Sequence, residues 1–194
     1  MKATRVEAGC DEAGRGCLAG PVTAAAVILD PKKRIKGLED SKKLSEKQRN
    51  RLRLEIEEKA LAWAVCFVGP REIEEINILH ASIAAIQRAV QKLEIQPEHL
   101  LIDGNRFSPI KGIEHTCVIK GDGIYQSIAA ASILAKTHRD ELMCKLHASH
   151  DQYDWLRNKG YPTISHREAI QKFGTTTHHR TTFKLLKDEV DEKS

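Results

Sequence analysis

Residues 9–27, GCDEAGRGCLAGPVTAAAV, decide the fold of this chain. They place an acidic pair, Asp11 and Glu12, and a glycine-rich turn between two short apolar stretches. The stretch from Thr4 to Cys10 and the run at 21–29 each fit a β-strand, because both are short and are bounded by Gly or Pro. We therefore predict that a hairpin of two neighbouring strands begins the fold, with the two acids directly after its first strand.

Strand-like runs alternate with helical stretches over the rest of the chain. The strand-like runs are LAWAVCFVG (61–69), HLLID (99–103) and HTCVIK (115–120). The helical stretches are 46–60, 76–93, 125–150 and 165–174. For the first helix, the candidate N-caps are Ser41 and Ser45, and the expected apolar side includes Leu52, Leu54 and Ile56. This order of elements predicts an α/β domain in which helices cover a mixed sheet.

Composition fits one globular domain and argues against several classes of protein. The chain has 194 residues, of which 41% are hydrophobic and 30% charged, so we expect a single domain over 1–194. No apolar run reaches the ~18 residues of a membrane-spanning helix, and the N-terminus lacks the apolar core of a signal peptide. Five cysteines without a CxxC pair indicate reduced thiols. We therefore expect a cytoplasmic protein without membrane contact.

Four acids are predicted to lie where strands give way to turns. They are Asp11, Glu12, Asp103 and Asp122. Each alone has a simpler explanation, since Asp before Gly, as at Asp103, is a common turn residue. Several buried acids that converge usually hold a cation, and their oxygen ligands favour Mg²⁺ or Mn²⁺ over zinc. Because two such ions can hydrolyse a phosphodiester, we predict that these acids are catalytic metal ligands.

Five ordered motifs resemble those of ribonuclease HII, the type 2 ribonuclease H family. They are residues 9–27, DSKKLS (40–45), LIDGN (101–105), KGDG (120–123) with SIAAASILAK (127–136) and Arg139-Asp140, and GYPT (160–163). One departure is Cys10, where isoleucine or valine commonly precedes the acidic pair. The resemblance implies a ribonuclease H-like fold with a five-stranded mixed sheet flanked by helices. It also implies a catalytic core over about 1–150 and a small helical C-terminal extension over about 151–194.

The resemblance implies an endonuclease that hydrolyses the RNA strand of RNA–DNA hybrids and cuts on the 5′ side of ribonucleotides embedded in duplex DNA. One or two Mg²⁺ or Mn²⁺ ions, held by the same four acids, would act on the phosphodiester and leave a 3′-hydroxyl and a 5′-phosphate. The partner would be such a hybrid or a ribonucleotide-containing duplex. We expect the enzyme to be a monomer.

The resemblance also assigns residues to recognition of the sugar. The backbone of Gly14, Arg15 and Gly16 would approach a ribose closely and hydrogen-bond its 2′-hydroxyl. The ring of Tyr161 would stack on the neighbouring deoxyribose. Taken singly, these residues fit an ordinary turn and a half-buried surface ring. Together they would recognise an RNA-to-DNA junction.

Further residues would bind the backbone of the substrate or support the site. Ser41, Lys42 and Lys43 resemble the family's phosphate-contacting segment, although such a charge run alone would be a solvated helix entry. Asp140 resembles a supporting residue outside the metal ligands. Lys136 and Arg139 share a helix face, and two roles are equally consistent with their side chains. They would either meet phosphates or pair with the neighbouring acids of the helix.

The C-terminal part of the chain carries less specific signals. His166 is expected to make a structural hydrogen bond at a helix start, and His178 and His179 to lie in a solvated loop within a polar tail. TTFKLL (181–186) fits either a replication-clamp peptide or a terminal segment packed on the domain. We favour packing on the domain.

Two other classes of protein share parts of this pattern. A resolvase or integrase of the same fold also uses carboxylates and metal ions, but would not discriminate a 2′-hydroxyl. A catalytically silent hybrid-binding module would keep a basic groove and lose metal ligands. All four acids are present here, which favours a nuclease.

Overall fold

A mixed five-stranded sheet forms the centre of the fold in the computed structural model, which describes residues 5–186. Its strands are β1 (Glu7–Ala13), β2 (Val22–Ile28), β3 (Ala62–Val68), β4 (His99–Asp103) and β5 (Glu114–Val118), in the order β3-β2-β1-β4-β5. The β1–β2 and β2–β3 pairs are antiparallel, whereas the β1–β4 and β4–β5 pairs are parallel. The predicted mixed sheet and its opening hairpin are confirmed.

Five helices accompany the sheet within residues 5–186. They are α1 (Glu46–Lys59), α2 (Pro70–Gln91), α3 (Gln126–His147), α4 (Trp155–Asn158) and α5 (Ile164–Phe173). Short 3-10 turns at Gly121–Gly123 and Asp151–Tyr153 precede α3 and α4. The four predicted helical stretches correspond to α1, α2, α3 and α5, whereas the short α4 was not predicted.

The start of α1 follows its sequence closely. Ser45 is the N-cap: its hydroxyl accepts the N–H of Gln48, whose side chain accepts the Ser45 N–H at 2.8 Å. Leu52 and Ile56 are buried, as predicted. The prediction for Leu54 is wrong, since it is 66% exposed. It lies two positions from each of the others, and residues two apart do not share a helix face.

Helix α2 begins earlier than its apolar pattern predicts and contains a break at Asn77. Pro70 occupies the first turn, where the N–H that proline lacks would have no partner in the helix. Asn77 has a φ of 62°, and its Oδ1 accepts the N–H groups of Leu79 at 3.0 Å and His80 at 3.2 Å. The Asn77 side chain therefore caps the longer second part of α2, which packs on the sheet.

Helices cover both faces of the sheet. The even-numbered residues of β2 pack with α2, whereas Ala25 and Val27 pack with α1 and α3. Small residues let α3 approach closely: a Cβ atom at Gly9 of β1 would lie 2.1 Å from the carbonyl carbon of Ser127. The start of α3 is therefore pressed against the strand that carries Asp11.

The chain after α3 folds back on the turn that follows β1. A third buried cluster joins these parts: Leu18, Ala19, Met143, Tyr153, Trp155, Ala169 and Ile170. His179 is 2% exposed and Arg180 is fully buried, and His179 forms an isolated antiparallel bridge with Ala19. The predicted solvated loop at residues 178–179 is therefore wrong for His179. Its polar atoms have hydrogen-bond partners inside the domain.

The described part of the chain contains neither a helix long and apolar enough to cross a membrane nor a disulfide. All five cysteines lie in this part and are free. Cys10, Cys17 and Cys66 are buried, and Cys117 and Cys144 are partly exposed. The predicted free thiols are confirmed.

Candidate active site

Two of the predicted acids lie near the carboxyl end of β1 and at the carboxyl end of β4, which are adjacent parallel strands. Cys10 pairs with Ile102, so Asp11 and Asp103 are the next residues along the two strands. Cys10 and Ile102 pack with α2. Because side chains alternate along a strand, Asp11 and Asp103 face the side that α3 covers. The sheet itself therefore brings these two carboxylates together.

Asp11 lies inside β1, not after it. The prediction placed the acidic pair beyond the strand, but β1 continues to Ala13, which pairs with Thr23 of β2. Asp11 is 6% exposed, and its Oδ1 accepts the Glu12 N–H at 2.7 Å. Its carboxylate also hydrogen-bonds the side chain of Ser132 on α3. The position of Asp11 is thus set by the strand and by the helix above it.

The Glu12 side chain points to the face of the sheet that α2 covers, near the carboxyl end of β1. Its Oε1 accepts a hydrogen bond from Nη1 of Arg15 at 3.1 Å. Both residues line a cavity of about 340 Å³ together with Asp103, Ser82 and Ile83. Glu12 therefore reaches the site from a different direction than Asp11.

Asp103 holds the turn that carries Asp122. Its Oδ1 accepts the Gly121 N–H at 2.7 Å, and a Cβ at Gly121 would lie 2.5 Å from Cδ1 of Ile128. Asp122 is 7% exposed, and Asp40 lies close enough to raise its pKa, by its charge and by accepting a hydrogen bond from the protonated Asp122. Asp40 was not predicted as a site residue, although it opens the DSKKLS motif. This motif therefore brings an additional acid to the site.

Burial and neighbouring negative charges raise the pKa of Asp11, Glu12 and Asp122. Burial, followed by the charges of Glu12 and Asp103, raises the pKa of Asp11 well above its ordinary value. Burial also raises the pKa of Glu12, while the nearby Arg15 lowers it. The pKa of Asp122 is raised by burial and then by neighbouring acids. The four predicted acids are therefore one electrostatically coupled group with an excess of negative charge.

The four acids supply the ligand atoms of a divalent-cation site, but their side chains do not have the geometry of a bound site. All its donors are carboxylate oxygens, which suit Mg²⁺ or Mn²⁺, and a cation would offset the mutual repulsion. Within residues 5–186, however, no three His, Cys, Asp or Glu side chains are arranged to hold a metal ion. Glu12, Asp103 and Asp122 each hold a protein partner instead. The residues fit such an ion in type and place.

Gly14 and Gly16 differ in what requires a glycine. Gly14 has a φ of 88°, and a Cβ there would lie 2.1 Å from Nε of Arg139, so the fold itself demands glycine. At Gly16 a Cβ would meet no heavy atom within 4 Å. Packing within the described residues therefore does not explain Gly16, and its backbone is open to a ligand. Arg15, between the two glycines, is largely exposed.

A buried arginine from the C-terminal segment fixes this loop. Nη2 of Arg180 donates to the Gly14 carbonyl at 2.7 Å, and Nη1 donates to the Arg15 carbonyl at 2.8 Å. Nε of Arg180 donates to the Gly20 carbonyl at 3.0 Å. Arg180 was not predicted as a site residue, since nothing in a polar segment signals that its arginine is buried.

Tyr161 lies beside the same loop. The Leu18 N–H donates to the Gly160 carbonyl at 2.8 Å, and the side chains of Cys17 and Tyr161 hydrogen-bond each other. The residue is 37% exposed, and Nζ of Lys136 lies 5.3 Å from the ring centroid. Burial raises the pKa of the Tyr161 hydroxyl to about 12. The hydroxyl therefore keeps its proton at neutral pH.

Neither interpretation of Arg139 is correct. Its guanidinium is fully buried and donates to three carbonyl groups, those of Pro21, Ala19 and Lys159, at 2.9, 2.9 and 2.8 Å. For Lys136 the pairing interpretation is confirmed, with Nζ 2.8 Å from Oδ1 of Asp140. Asp140 therefore supports the lysine that lies over the Tyr161 ring.

Ser41 faces the interior of the protein. It is 5% exposed, and its Oγ lies 2.9 Å from Oγ of Ser132. Ser132 in turn hydrogen-bonds Asp11. The Ser41 hydroxyl thus supports Asp11 through Ser132 and faces away from the exposed lysines that follow it.

Lys42 and Lys43 are exposed beside the acids. The charge of Lys42 counteracts the raised pKa of both Glu12 and Asp122, so its ammonium group lies within electrostatic range of them. Nζ of Lys43 lies 3.0 Å from Oε1 of Glu39. The two lysines therefore supply positive charge next to the carboxylates.

Similarity to known proteins identifies the family to which this chain belongs. The family model for ribonuclease HII matches residues 8–186. The chain belongs to the ribonuclease HII family. Ribonuclease HII of Parabacteroides distasonis is 60% identical over 190 residues, covering 98% of this chain and 96% of that protein. Ribonuclease HII of Bacteroides thetaiotaomicron is 63% identical over 183 residues, covering 94% and 92%.

Solved structures agree with this membership. The RNase HII in the PCNA:RNase HII complex from Archaeoglobus fulgidus matches with a TM-score of 0.81 and 26% identity, covering 97% of this chain and 100% of that chain. As a ribonuclease HII, the chain is a metal-dependent endoribonuclease that acts on the RNA strand of RNA–DNA hybrids. This activity distinguishes it from resolvases, integrases and hybrid-binding modules.

Proposed function

We propose that this ribonuclease HII also cuts on the 5′ side of single ribonucleotides embedded in duplex DNA, leaving a 3′-hydroxyl and a 5′-phosphate. One observation carries the proposal. Strand β1 contains the buried acid Asp11 and ends at Ala13, and the turn that follows it holds Gly16, whose surroundings are open. Groups for the phosphodiester and groups for the sugar thus lie in one short segment. The half-exposed Tyr161 adjoins the same segment.

We propose that Asp11, Glu12, Asp103 and Asp122 hold two Mg²⁺ or Mn²⁺ ions. Such ions, when bound, activate a water and offset the charge on the departing 3′-oxygen. Asp11 is oriented by the Glu12 N–H and by Ser132, and Asp103 by the backbone of the turn before α3. Burial and then repulsion between the acids raise the pKa of Asp11 and Asp122, and this favours cation binding because a cation stabilises the ionised carboxylates.

We propose that the ribose is recognised by the backbone of Gly14, Arg15 and Gly16 together with Tyr161. Open space at Gly16 lets a backbone group reach the 2′-hydroxyl, which DNA lacks. The Tyr161 hydroxyl stays protonated, and the residue is 37% exposed, which would allow a deoxyribose to stack on its ring. Both parts are needed to recognise an RNA-to-DNA junction.

We propose that Lys42 and Lys43 bind backbone phosphates of the substrate beside the acids. Both are exposed, and Lys42 lies within electrostatic range of the acids. Phosphate contacts fix the position of the duplex without reading its base sequence. Cleavage would therefore depend on the sugar and not on the base.

We propose that the enzyme is a monomer that contacts a replication clamp through its C-terminal segment. The related archaeal structure is a PCNA:RNase HII complex. In TTFKLL, Phe183 and Leu185 pack on the domain, as predicted, so the proposed clamp contact would be made by Leu186, which is 44% exposed. Size-exclusion chromatography with a bacterial sliding clamp tests this contact. We expect Leu186→Ser to weaken co-elution, and absence of co-elution by the wild-type protein would contradict it.

Three labelled duplexes that differ only in sugar test the proposed substrate. They are all DNA, DNA with one ribonucleotide, and a continuous RNA strand on DNA, each with Mg²⁺, Mn²⁺ or chelator. We expect metal-dependent cutting of both RNA-containing duplexes, on the 5′ side of the lone ribonucleotide, and an intact all-DNA duplex. Tyr161→Ala should slow cutting at the lone ribonucleotide more than cutting of the continuous RNA. Cutting of continuous RNA alone would contradict the proposal.

A further inference from the structure

A buried hydrogen-bond chain runs from the C-terminal segment to the backbone of Tyr161. Its members are the Thr176 N–H, the rings of His179 and His166, and the Tyr161 carbonyl. His179 is 2% exposed and His166 is fully buried. Both rings pack in an aromatic cluster with Tyr153 and Trp155. Water is therefore kept from the two imidazoles.

The partners of the two rings define their protonation. Nδ1 of His179 accepts the Thr176 N–H at 2.9 Å, so in a neutral ring the proton is on Nε2. Nδ1 of His166 lies 2.9 Å from the Tyr161 carbonyl oxygen, which can only accept, so the proton of His166 is on Nδ1. Nε2 of His166 then accepts from Nε1–H of Trp155 at 3.0 Å and from Nε2–H of His179 at 3.3 Å. The position of the proton on each neutral ring is therefore defined, and every hydrogen bond of the chain donates in the same direction, from Thr176 toward the Tyr161 carbonyl.

The same segment also reaches the other half of the sugar-contacting site. Arg180, the residue after His179, donates to the carbonyls of Gly14 and Arg15 at 2.7 and 2.8 Å. Two consecutive residues, Arg180 and His179, thus fix the glycine loop and, through His166, the turn that carries Tyr161. This connection adds to the direct hydrogen bond from the Leu18 N–H to the Gly160 carbonyl in setting the relative position of these two parts.

We propose that His166, oriented by His179, is a positioning residue that sets the place of Tyr161 for cleavage at a lone ribonucleotide. This rests on the sugar-contacting role of Tyr161 under the proposed function. His166 does not touch the substrate itself. It acts by donating to the Tyr161 carbonyl from a ring whose rotation is fixed at both nitrogens.

Two amide variants of His166 separate this role from general stability. His166→Asn places an N–H near the position of Nδ1 and retains the donor to Tyr161, but loses the acceptor for Trp155. His166→Gln places its amide near the position of Nε2, retains an acceptor for Trp155 and loses the donor to Tyr161. Each variant breaks one part of the network, so both are expected to lower the unfolding temperature.

The test measures the Tyr161 amide and ring resonances by NMR spectroscopy together with kcat and KM on the lone-ribonucleotide duplex. The NMR spectra and the kinetic constants are recorded well below the unfolding temperatures of both variants. We expect His166→Gln to shift the Tyr161 resonances and to lower kcat by about 10-fold or more, with a smaller effect on a continuous RNA–DNA hybrid. His166→Asn should keep both near wild type.

The two readouts distinguish a failure of this proposal from a failure of the proposed function. Unchanged Tyr161 resonances in His166→Gln, or equal losses of kcat in both variants, would overturn the positioning role. Shifted Tyr161 resonances with an unchanged kcat would overturn both the positioning role and the sugar contact of Tyr161. If Tyr161→Ala cleaved the lone-ribonucleotide duplex at the wild-type rate, this result alone would overturn the sugar contact of Tyr161.

Discussion

Oδ1 of Asp103 accepts a 2.7 Å hydrogen bond from the N–H of Gly121, which ties the end of β4 to the turn that presents Asp122. Gly121 has no room for a side chain, since a Cβ would lie 2.5 Å from Ile128. One acid of the site therefore positions another through the backbone. An Asn at position 103 would keep this oxygen while removing the charge, so the charge can be tested apart from the fold.

Asp11→Asn is expected to stabilise the metal-free protein and to abolish cleavage. Burial and the charges of Glu12 and Asp103 raise the pKa of Asp11, so its ionised form costs the folded state stability as pH rises through that pKa. Asn removes this cost at neutral pH. Thermal unfolding in chelator should show an increase of about 2 °C or more. The exposed Asp151→Asn serves as the control, and a lower unfolding temperature for Asp11→Asn would refute this explanation.

Alanine at Gly14 and at Gly16 should have opposite profiles. Gly14→Ala forces a positive φ on a side chain and a contact with Arg139, so we expect a loss of about 1–3 kcal/mol in unfolding free energy. Gly16→Ala meets no heavy atom within 4 Å and should unfold like the wild type. It should nonetheless slow cleavage by blocking the sugar. Urea unfolding and cleavage rates check both, and a fully active Gly16→Ala would remove the proposed backbone contact.

Mild acid is expected to destabilise the protein through His179. Burial, followed by the charges of His166, His178 and His150, lowers the pKa of His179 to about 4. An unfolded histidine titrates near ~6.5, so the unfolded state binds the proton first, and the unfolding free energy falls as pH drops from about 6.5 toward 4. His179→Gln keeps a donor and loses this titration. Urea unfolding across this range should therefore show a shallower decline in the variant, and identical declines would contradict the assignment.

The salt dependence of binding should report the two lysines of the DSKKLS motif. Lys42→Ala and Lys43→Ala should each reduce the slope of log K against log salt by about 1, because each removes one phosphate contact. Binding of the hybrid is measured in chelator, so that no cleavage occurs. Lys172→Ala on α5 is the matched control. Slopes that match the wild type in both lysine variants would exclude them from the interface.

The sheet and the acids could be predicted because their signals are local. The short apolar runs give the strands, and the strand ends give the places where Asp11 and Asp103 meet. The strand-end position of the acidic pair was misjudged by a few residues, because the polar side chains of Asp11 and Glu12 hide the continuation of β1.

The buried polar residues could not be predicted. Arg139, Arg180 and His179 are hydrophilic in sequence, yet each is buried where turns distant along the chain present carbonyl or ring acceptors. Such partners exist only after the fold has formed. For the same reason Ser41 was expected at a phosphate, whereas its hydroxyl contacts Ser132. The division into a core and a C-terminal extension stays a prediction.

Binding of Mn²⁺ to the metal-free protein, measured by calorimetry for the wild type and for Asp103→Asn, tests the carboxylate site most directly. Asn keeps the acceptor for the Gly121 N–H, so the turn should persist while one ligand charge is lost. We expect at least about 10-fold weaker binding and loss of cleavage, with Asp151→Asn unchanged. Wild-type Mn²⁺ affinity and wild-type cleavage in Asp103→Asn, with the fold intact, would contradict the assignment of these acids as the metal site.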